Sequence, residues 1–180
     1  MNEPKKKLST KMLCLCGLFT ALITVGAFIR IPLPVIPFTL QTLFILLAGL
    51  LLGKNYASLS CLAYLVLGLI GLPIFTQGGG IGYVLQPTFG YIIGFVLGAW
   101  VIGKIAVTSS YSRLLAASFA GLGVIYLFGA VYYYLLATLY LQQSVAIGAL
   151  LVSCVLTTLP VDCVLALIAA SLAKRLKRHI

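Results

Sequence analysis

Only two acidic residues occur in this chain of 180 residues, Glu3 and Asp162. Glu3 lies in a polar N-terminal stretch. Asp162 stands alone in TTLPVDCVLALIAA, residues 157–170, a run with no other charge. A single carboxylate is an acceptor of hydrogen bonds, so it suits a group that presents N–H, charged or neutral. A proton relay usually draws on several ionisable groups, and here no second acid and no intramembrane histidine accompanies it. The alternative is a protonated acid bonded to a neighbouring backbone carbonyl.

The other reactive side chains exclude most chemistry. His179, near the C-terminus, is the only histidine. Cys14, Cys16, Cys61, Cys154 and Cys163 all fall in apolar segments without a CxxC. Neither a disulfide framework nor a metal site is expected, and these cysteines read as small apolar packing residues. GAWVIGKI, residues 98–105, approaches a phosphate-binding loop, but Ile105 stands where a magnesium-binding hydroxyl is required. No Ser–His–Asp or Cys–His set is within reach of one locus. The chain therefore reads as a binding protein and not an enzyme, with no cofactor of its own.

Other polar groups can converge on the carboxylate. FTLQT, residues 38–42, places Thr39 to cap a helix, with Phe38 and Leu43 as a hydrophobic staple. Gln41 and Thr42 follow with donors and acceptors. QPTFGY, residues 86–91, places Pro87 at a first helical position. Ordinary capping and packing account for each of these residues taken singly.

The elements that must carry these residues follow from composition. Hydrophobic residues make up 62% and charged residues 8%, against roughly 25% charged in a soluble domain. This is a membrane protein of one domain, spanning residues 1–180. Apolar runs separated by Pro, Gly or charge predict helices at about 12–30, 38–53, 57–73, 88–105, 114–139 and 145–173. The last two exceed one span, and Pro160 is the expected kink in the sixth. The N-terminal KKKLSTK and its apolar run resemble a signal peptide, but the run is too long and lacks a small-x-small cleavage site, so it reads as a first span.

Charge sets the orientation. The formal net charge is +10. With six spans and the N-terminus in the cytoplasm, Lys5, Lys6, Lys7, Lys11, Lys54, Lys104, Arg113, Lys174, Arg175, Lys177 and Arg178 fall inside, and only Arg30 outside. Cations so placed are topology signals and contacts with anionic membrane lipids, not a nucleic-acid surface. Both termini are thus expected in the cytoplasm. Asp162 precedes Lys174 by 12 residues, or ~18 Å of helix, which puts it near or just outward of the midplane. A carboxylate there costs roughly 2.5–3.5 kcal/mol and marks a functional site by default.

Two outer connections are unusual. IPLPVIPF, residues 31–38, is held extended by Pro32, Pro34 and Pro37. PIFTQGGGIGYVLQP, residues 73–87, combines glycines at 78, 79, 80 and 82 with Phe75, Tyr83 and Leu85. Gly79 and Gly80 let a backbone approach a ligand closely; a tight turn at a span end is the plainer reading. Gly17 with Ala21, and Gly94 with Gly98, form small-xxx-small pairs that allow close helix approach, within the chain or with a partner.

The series IPLPVIPFTLQTLFILLAGLLLGK, YLVLGLIGLPIFTQGGGIGYVLQPTFGYIIGFVLGAW and LPVDCVLALIAASLAKRL, in that order over roughly residues 12–176, resembles the BioY family. These are the biotin-specific substrate-binding (S) components of energy-coupling factor (ECF) importers. The resemblance implies a six-helix S-component fold and an outward-facing biotin pocket in the cytoplasmic membrane. It also implies a transmembrane partner subunit and two ATP-binding subunits, the former contacted through Gly17 and Ala21. Under it, Asp162 accepts from the ureido ring and Tyr83 and Tyr91 wall the thioether ring and alkyl chain. Outward helix ends, Thr39, Gln41 or Arg30 meet the carboxylate. One departure stands out: the family commonly carries a lysine three residues after this aspartate, where Leu165 stands here. The competing function is a stand-alone carrier or channel for biotin or a related small polar ligand, without an ATPase.

Overall fold

The computed structural model describes residues 10–32, 37–108, 110–142 and 146–177. Lys5, Lys6, Lys7, Pro34, Arg178 and position 145, the expected start of the sixth helix, lie outside the described residues.

Among the described residues the architecture is helical apart from one two-stranded hairpin. Its helices are α1 (Thr10–Phe28), α2 (Gln41–Leu52), α3 (Lys54–Leu69), α4 (Phe89–Ile105), α5 (Tyr111–Leu135), α6 (Ile147–Leu151) and α7 (Leu159–Leu176). A π turn, Leu136–Tyr140, prolongs α5, and a second, Val152–Leu156, joins α6 towards α7. Thr10–Phe28, Tyr111–Tyr140 and Ile147–Leu176 are long and apolar enough to cross a membrane; Gln41–Leu52 and Phe89–Ile105 are apolar but shorter. Large apolar side chains such as Leu18, Val25, Leu127, Val131 and Val164 point outward. Such an exposed apolar surface suits lipid and not water.

Several element starts differ from the sequence-based expectation, each for a physical reason. The second helix begins at Gln41 and not at 38, because Phe38–Thr39 pair antiparallel with Arg30–Ile31, the strands β2 and β1. Thr39 therefore does not cap α2. Leu40 holds that position without a side-chain bond, and the Phe38–Leu43 staple is out of register. The third helix begins at Lys54, directly after Gly53, whose φ of 77° lets the chain reverse without a loop. Pro87 precedes the N-cap Thr88 and is not the first residue of α4. The sixth span is interrupted where Pro160 is expected to act: the regular helix lapses at Thr157–Thr158, both still right-handed helical in backbone, and resumes with the proline in the first turn of α7. A missing N–H is harmless there, since the first turn has no intrahelical acceptor for it.

Glycines bring α4 and α5 into close contact. A Cβ at Gly94 would lie 3.0 Å from the Ile125 backbone, and one at Gly98 would lie 2.7 Å from the Ile125 side chain. From the other side, a Cβ at Gly121 would sit 2.2 Å from Ile102. The small-xxx-small pair of the fourth helix thus serves internal packing. The pair on α1 does not: Gly17 has nothing within 4 Å of its Cβ position, and with Ala21, Thr24, Ala63 and Leu67 it lines an open surface groove.

The helix ends separate by charge. Lys177 Nζ donates to the Ala106 carbonyl at 2.6 Å, Gly103 packs on the Lys54 backbone, and Tyr111 shares a surface pocket with Lys174 and Arg175. The α2–α3 turn, the α4–α5 turn and the end of α7 therefore form one basic end. The hairpin and the segment from Ile70 to Thr88 belong to the opposite end of these helices.

Candidate functional site

Towards the hairpin end the helices part around a narrow cavity. One wall comes from α2, α3 and the segment before α4. Thr39 Oγ1 donates to Gln41 Oε1 at 3.3 Å, Gln41 Nε2 donates to the Tyr64 hydroxyl at 2.8 Å, and Tyr64 donates to the Ile74 carbonyl at 3.1 Å. A second chain runs from Thr76 to Tyr83 at 2.8 Å and from Tyr83 to Thr88 at 2.9 Å. Each buried polar group on this wall has a protein partner, as burial requires.

The glycine-rich segment is a folded lobe. Phe75 is buried beneath it, edge-on to Tyr64 at 5.3 Å and tilted against Tyr83 at 4.5 Å. Only a glycine at 68 leaves room for this ring, since a Cβ there would lie 2.0 Å from it. Phe75 and Gly78 exchange backbone bonds of 2.9 and 3.2 Å. Gly79 approaches the Leu72 carbonyl so closely that a Cβ would be 2.1 Å away, and Gly80 (φ 94°) donates to the Gly68 carbonyl at 2.7 Å. These glycines fold the lobe onto α3.

The facing wall comes from α4, α5 and α7. Asp162 is only 4% exposed. It falls in the first turn of α7, just after the lapse in the helix at Thr157–Thr158. Tyr126, from α5, donates its hydroxyl to Asp162 Oδ2. Thr158 Oγ1 points at the same phenol oxygen at 3.3 Å, with the Val155 carbonyl at 3.4 Å as its other acceptor. The Thr42 hydroxyl adjoins the carboxylate, yet among the described residues Oδ1 has no hydrogen-bond partner. Tyr91 donates to the Cys154 carbonyl at 2.7 Å. Ile92, Phe95, Leu122 and Ile125 complete this side.

Asp162, Gln41, Thr39, Tyr83 and Tyr91, singled out in the sequence, all line this one cavity. Gly79, Gly80 and Arg30 do not. Arg30 is exposed and donates to the Thr76 carbonyl, so it reaches the lining only through the lobe. Sequence reasoning missed Tyr126, Thr158, Tyr64 and Thr88. Thr158 carried a usable signal, lying four residues before Asp162 and so on the same side of a helical turn. Nothing distinguished Tyr126 from the tyrosines that follow it.

Chemically the cavity is amphipathic, with aromatic and aliphatic sides, one acid and no cationic lining residue. Among the described residues no cluster of His, Cys, Asp or Glu is placed to hold a metal ion. Such a site orients a small ligand through few polar contacts.

Comparison with known proteins agrees along the whole chain. A sequence model described as the BioY family matches residues 2–180. The probable biotin transporter BioY of Lysinibacillus sphaericus is 44% identical over 174 residues, covering 95% of this chain and 89% of that protein. The biotin transporter BioY of Thermotoga maritima is 48% identical over 121 residues, or 66% of this chain and 72% of that protein. Among solved structures, the S-component for biotin from an ECF-type ABC transporter matches with a TM-score of 0.83 at 28% identity. That match covers 99% of this chain and 96% of the other.

Proposed function

Since the chain belongs to the BioY family, we propose that the cavity beside Asp162 is where it receives biotin. The protein is a multi-pass membrane protein of biotin uptake, the S component of an ECF-type transporter, and not an enzyme. Biotin is its cargo.

The observation that carries the site is the free Asp162 Oδ1 inside an otherwise satisfied, largely apolar cavity. A buried acceptor without a partner costs roughly 1–3 kcal/mol, more when charged, and a bound N–H recovers that cost. The ureido ring of biotin supplies such an N–H. Tyr91, Ile92 and Phe95 offer apolar surface for the thioether ring and the alkyl chain. The carboxylate of biotin then points to the mouth.

The finer placement belongs to the same reading. The basic end faces the cytoplasm, both termini lie there, and the cavity opens outward across the cytoplasmic membrane. The groove of Gly17 and Ala21 meets a transmembrane partner subunit, to which two ATP-binding subunits attach. Its small side chains permit the close helix approach that association in lipid relies on.

Titration calorimetry on the purified chain tests the site. Wild type saturates with biotin, and Asp162→Asn weakens binding about 30-fold, the loss of a charge-assisted hydrogen bond. Equal affinity in the variant removes Asp162 from the site. Vesicles holding the isolated chain bind biotin without accumulating it; uptake without nucleotide would replace the S-component reading with a stand-alone carrier.

A further inference from the structure

We propose that Tyr126 is a positioning residue that sets ligand class, holding Asp162 so that the site selects a neutral cyclic urea over a cyclic guanidinium. The inference rests on the biotin reading above.

The two carboxylate oxygens are not equivalent. Oδ2 receives the Tyr126 hydroxyl, whose own oxygen is approached by Thr158 Oγ1 at 3.3 Å. Oδ1 has no partner within hydrogen-bond distance among the described residues, and the Thr42 hydroxyl is the donor standing beside the carboxylate. The group is thus presented as one open acceptor. Tyr126 comes from α5 and Thr158 from the N-cap of α7, so the arrangement is held by two helices.

A single acceptor matches the edge of a urea. Beside each ureido N–H stands the carbonyl oxygen, itself an acceptor. A carboxylate offering both oxygens would set its second one against that carbonyl. With the phenol hydroxyl of Tyr126 donating to Oδ2, that repulsion is reduced, and the N–H bond to Oδ1 remains. A guanidinium edge is different: beside the ring N–H stands another N–H, and the pair fits a carboxylate with two free oxygens. Tyr126 already occupies one acceptor site of that second oxygen, so such a ligand competes with the phenol for its second bond. A buried polar group left unmatched is what makes hydrogen-bond selection strong. The cavity lining carries no cation to repel a guanidinium, so discrimination falls to the geometry at Asp162.

The test compares biotin with 2-iminobiotin, in which the ureido carbonyl becomes a guanidinium that is cationic at neutral pH. Calorimetry is run on wild type, Tyr126→Phe and Thr158→Val in detergent, with melting curves to confirm folding. Wild type favours biotin. Tyr126→Phe loses about tenfold in biotin affinity while 2-iminobiotin holds or gains, so the ratio moves at least tenfold towards the guanidinium. Thr158→Val moves the ratio the same way by about threefold, and it carries the test if Tyr126→Phe does not fold. A purely structural role would weaken both ligands alike, so an unmoved ratio overturns the assignment of Tyr126 and leaves the biotin site standing. Wild type that binds neither compound overturns the underlying reading, and this inference with it.

Discussion

The two walls of the cavity treat polarity in opposite ways. On the side built by α2, α3 and the folded lobe, Thr39, Gln41, Tyr64, Thr76, Tyr83 and Thr88 bond to one another or to the Ile74 carbonyl. On the side built by α4, α5 and α7, one oxygen of Asp162 is left open. Residue type does not separate these roles, since tyrosines and threonines stand on both walls. What separates them is whether hydrogen-bonding capacity is used up inside the protein. A satisfied network makes a rigid frame, while an open acceptor stores a cost that a ligand removes.

The largest expected effect comes from removing the open acceptor. Asp162→Ala should lower biotin affinity about 100-fold, the scale of a lost hydrogen bond to a charged group. It should lower the melting temperature of the unliganded protein only modestly, because the Tyr126 hydroxyl loses its acceptor while the open oxygen had no bond to lose. Calorimetry and thermal unfolding together check this, and a steep loss of unliganded stability would make Asp162 part of the frame.

Gly68→Ala attacks the other wall. The added methyl meets the buried Phe75 ring at 2.0 Å, and overpacking of this kind costs about 1–3 kcal/mol. Stability should fall in the melting curve, and biotin affinity by about tenfold as Tyr64 and Tyr83 shift with the ring. An unchanged melting temperature would show that the lobe is not a frame at all.

Gln41→Leu is milder. It leaves the Tyr64 hydroxyl without its donor, at about 1 kcal/mol of stability and about threefold in affinity. Loss of all binding with stability intact would mean that both walls recognise ligand directly. Smallest is Arg30→Ala, which cuts an exposed bond to the Thr76 carbonyl and should change equilibrium affinity by about twofold or less.

The same contrast explains what the sequence discloses. Asp162 is conspicuous because an acid in an apolar run needs a reason, and that reason is local enough to read. Gln41, Thr39, Tyr83 and Tyr91 lie in segments whose composition interrupts the helices. Tyr126 stays hidden because YLFGAVYYY, residues 126–134, offers several tyrosines. Which of them turns inward is decided by packing: Tyr126 is buried, whereas Tyr134 is exposed. Gly79 and Gly80 mislead for a related reason. Glycine permits close approach, but the sequence does not say to what, and here it is the Leu72 carbonyl and α3. The number of spans follows from apolar runs, with α6 and α7 together forming the sixth, Ile147–Leu176, yet the start of α2 does not, because the pairing of Arg30–Ile31 with Phe38–Thr39 is a contact between two segments. The lapse at Thr157–Thr158 lies within hydrophobicity that reads as one long helix.

The tether between Lys177 and the Ala106 carbonyl has a dynamic consequence. Together with the phenol of Tyr126 at the opposite extremity, it clamps the last helix at both tips, to α4 and to α5. On the other side of the cavity, Arg30 of the hairpin reaches the Thr76 carbonyl of the lobe. Arg30→Ala should therefore alter the rates of ligand entry and exit more than the equilibrium affinity.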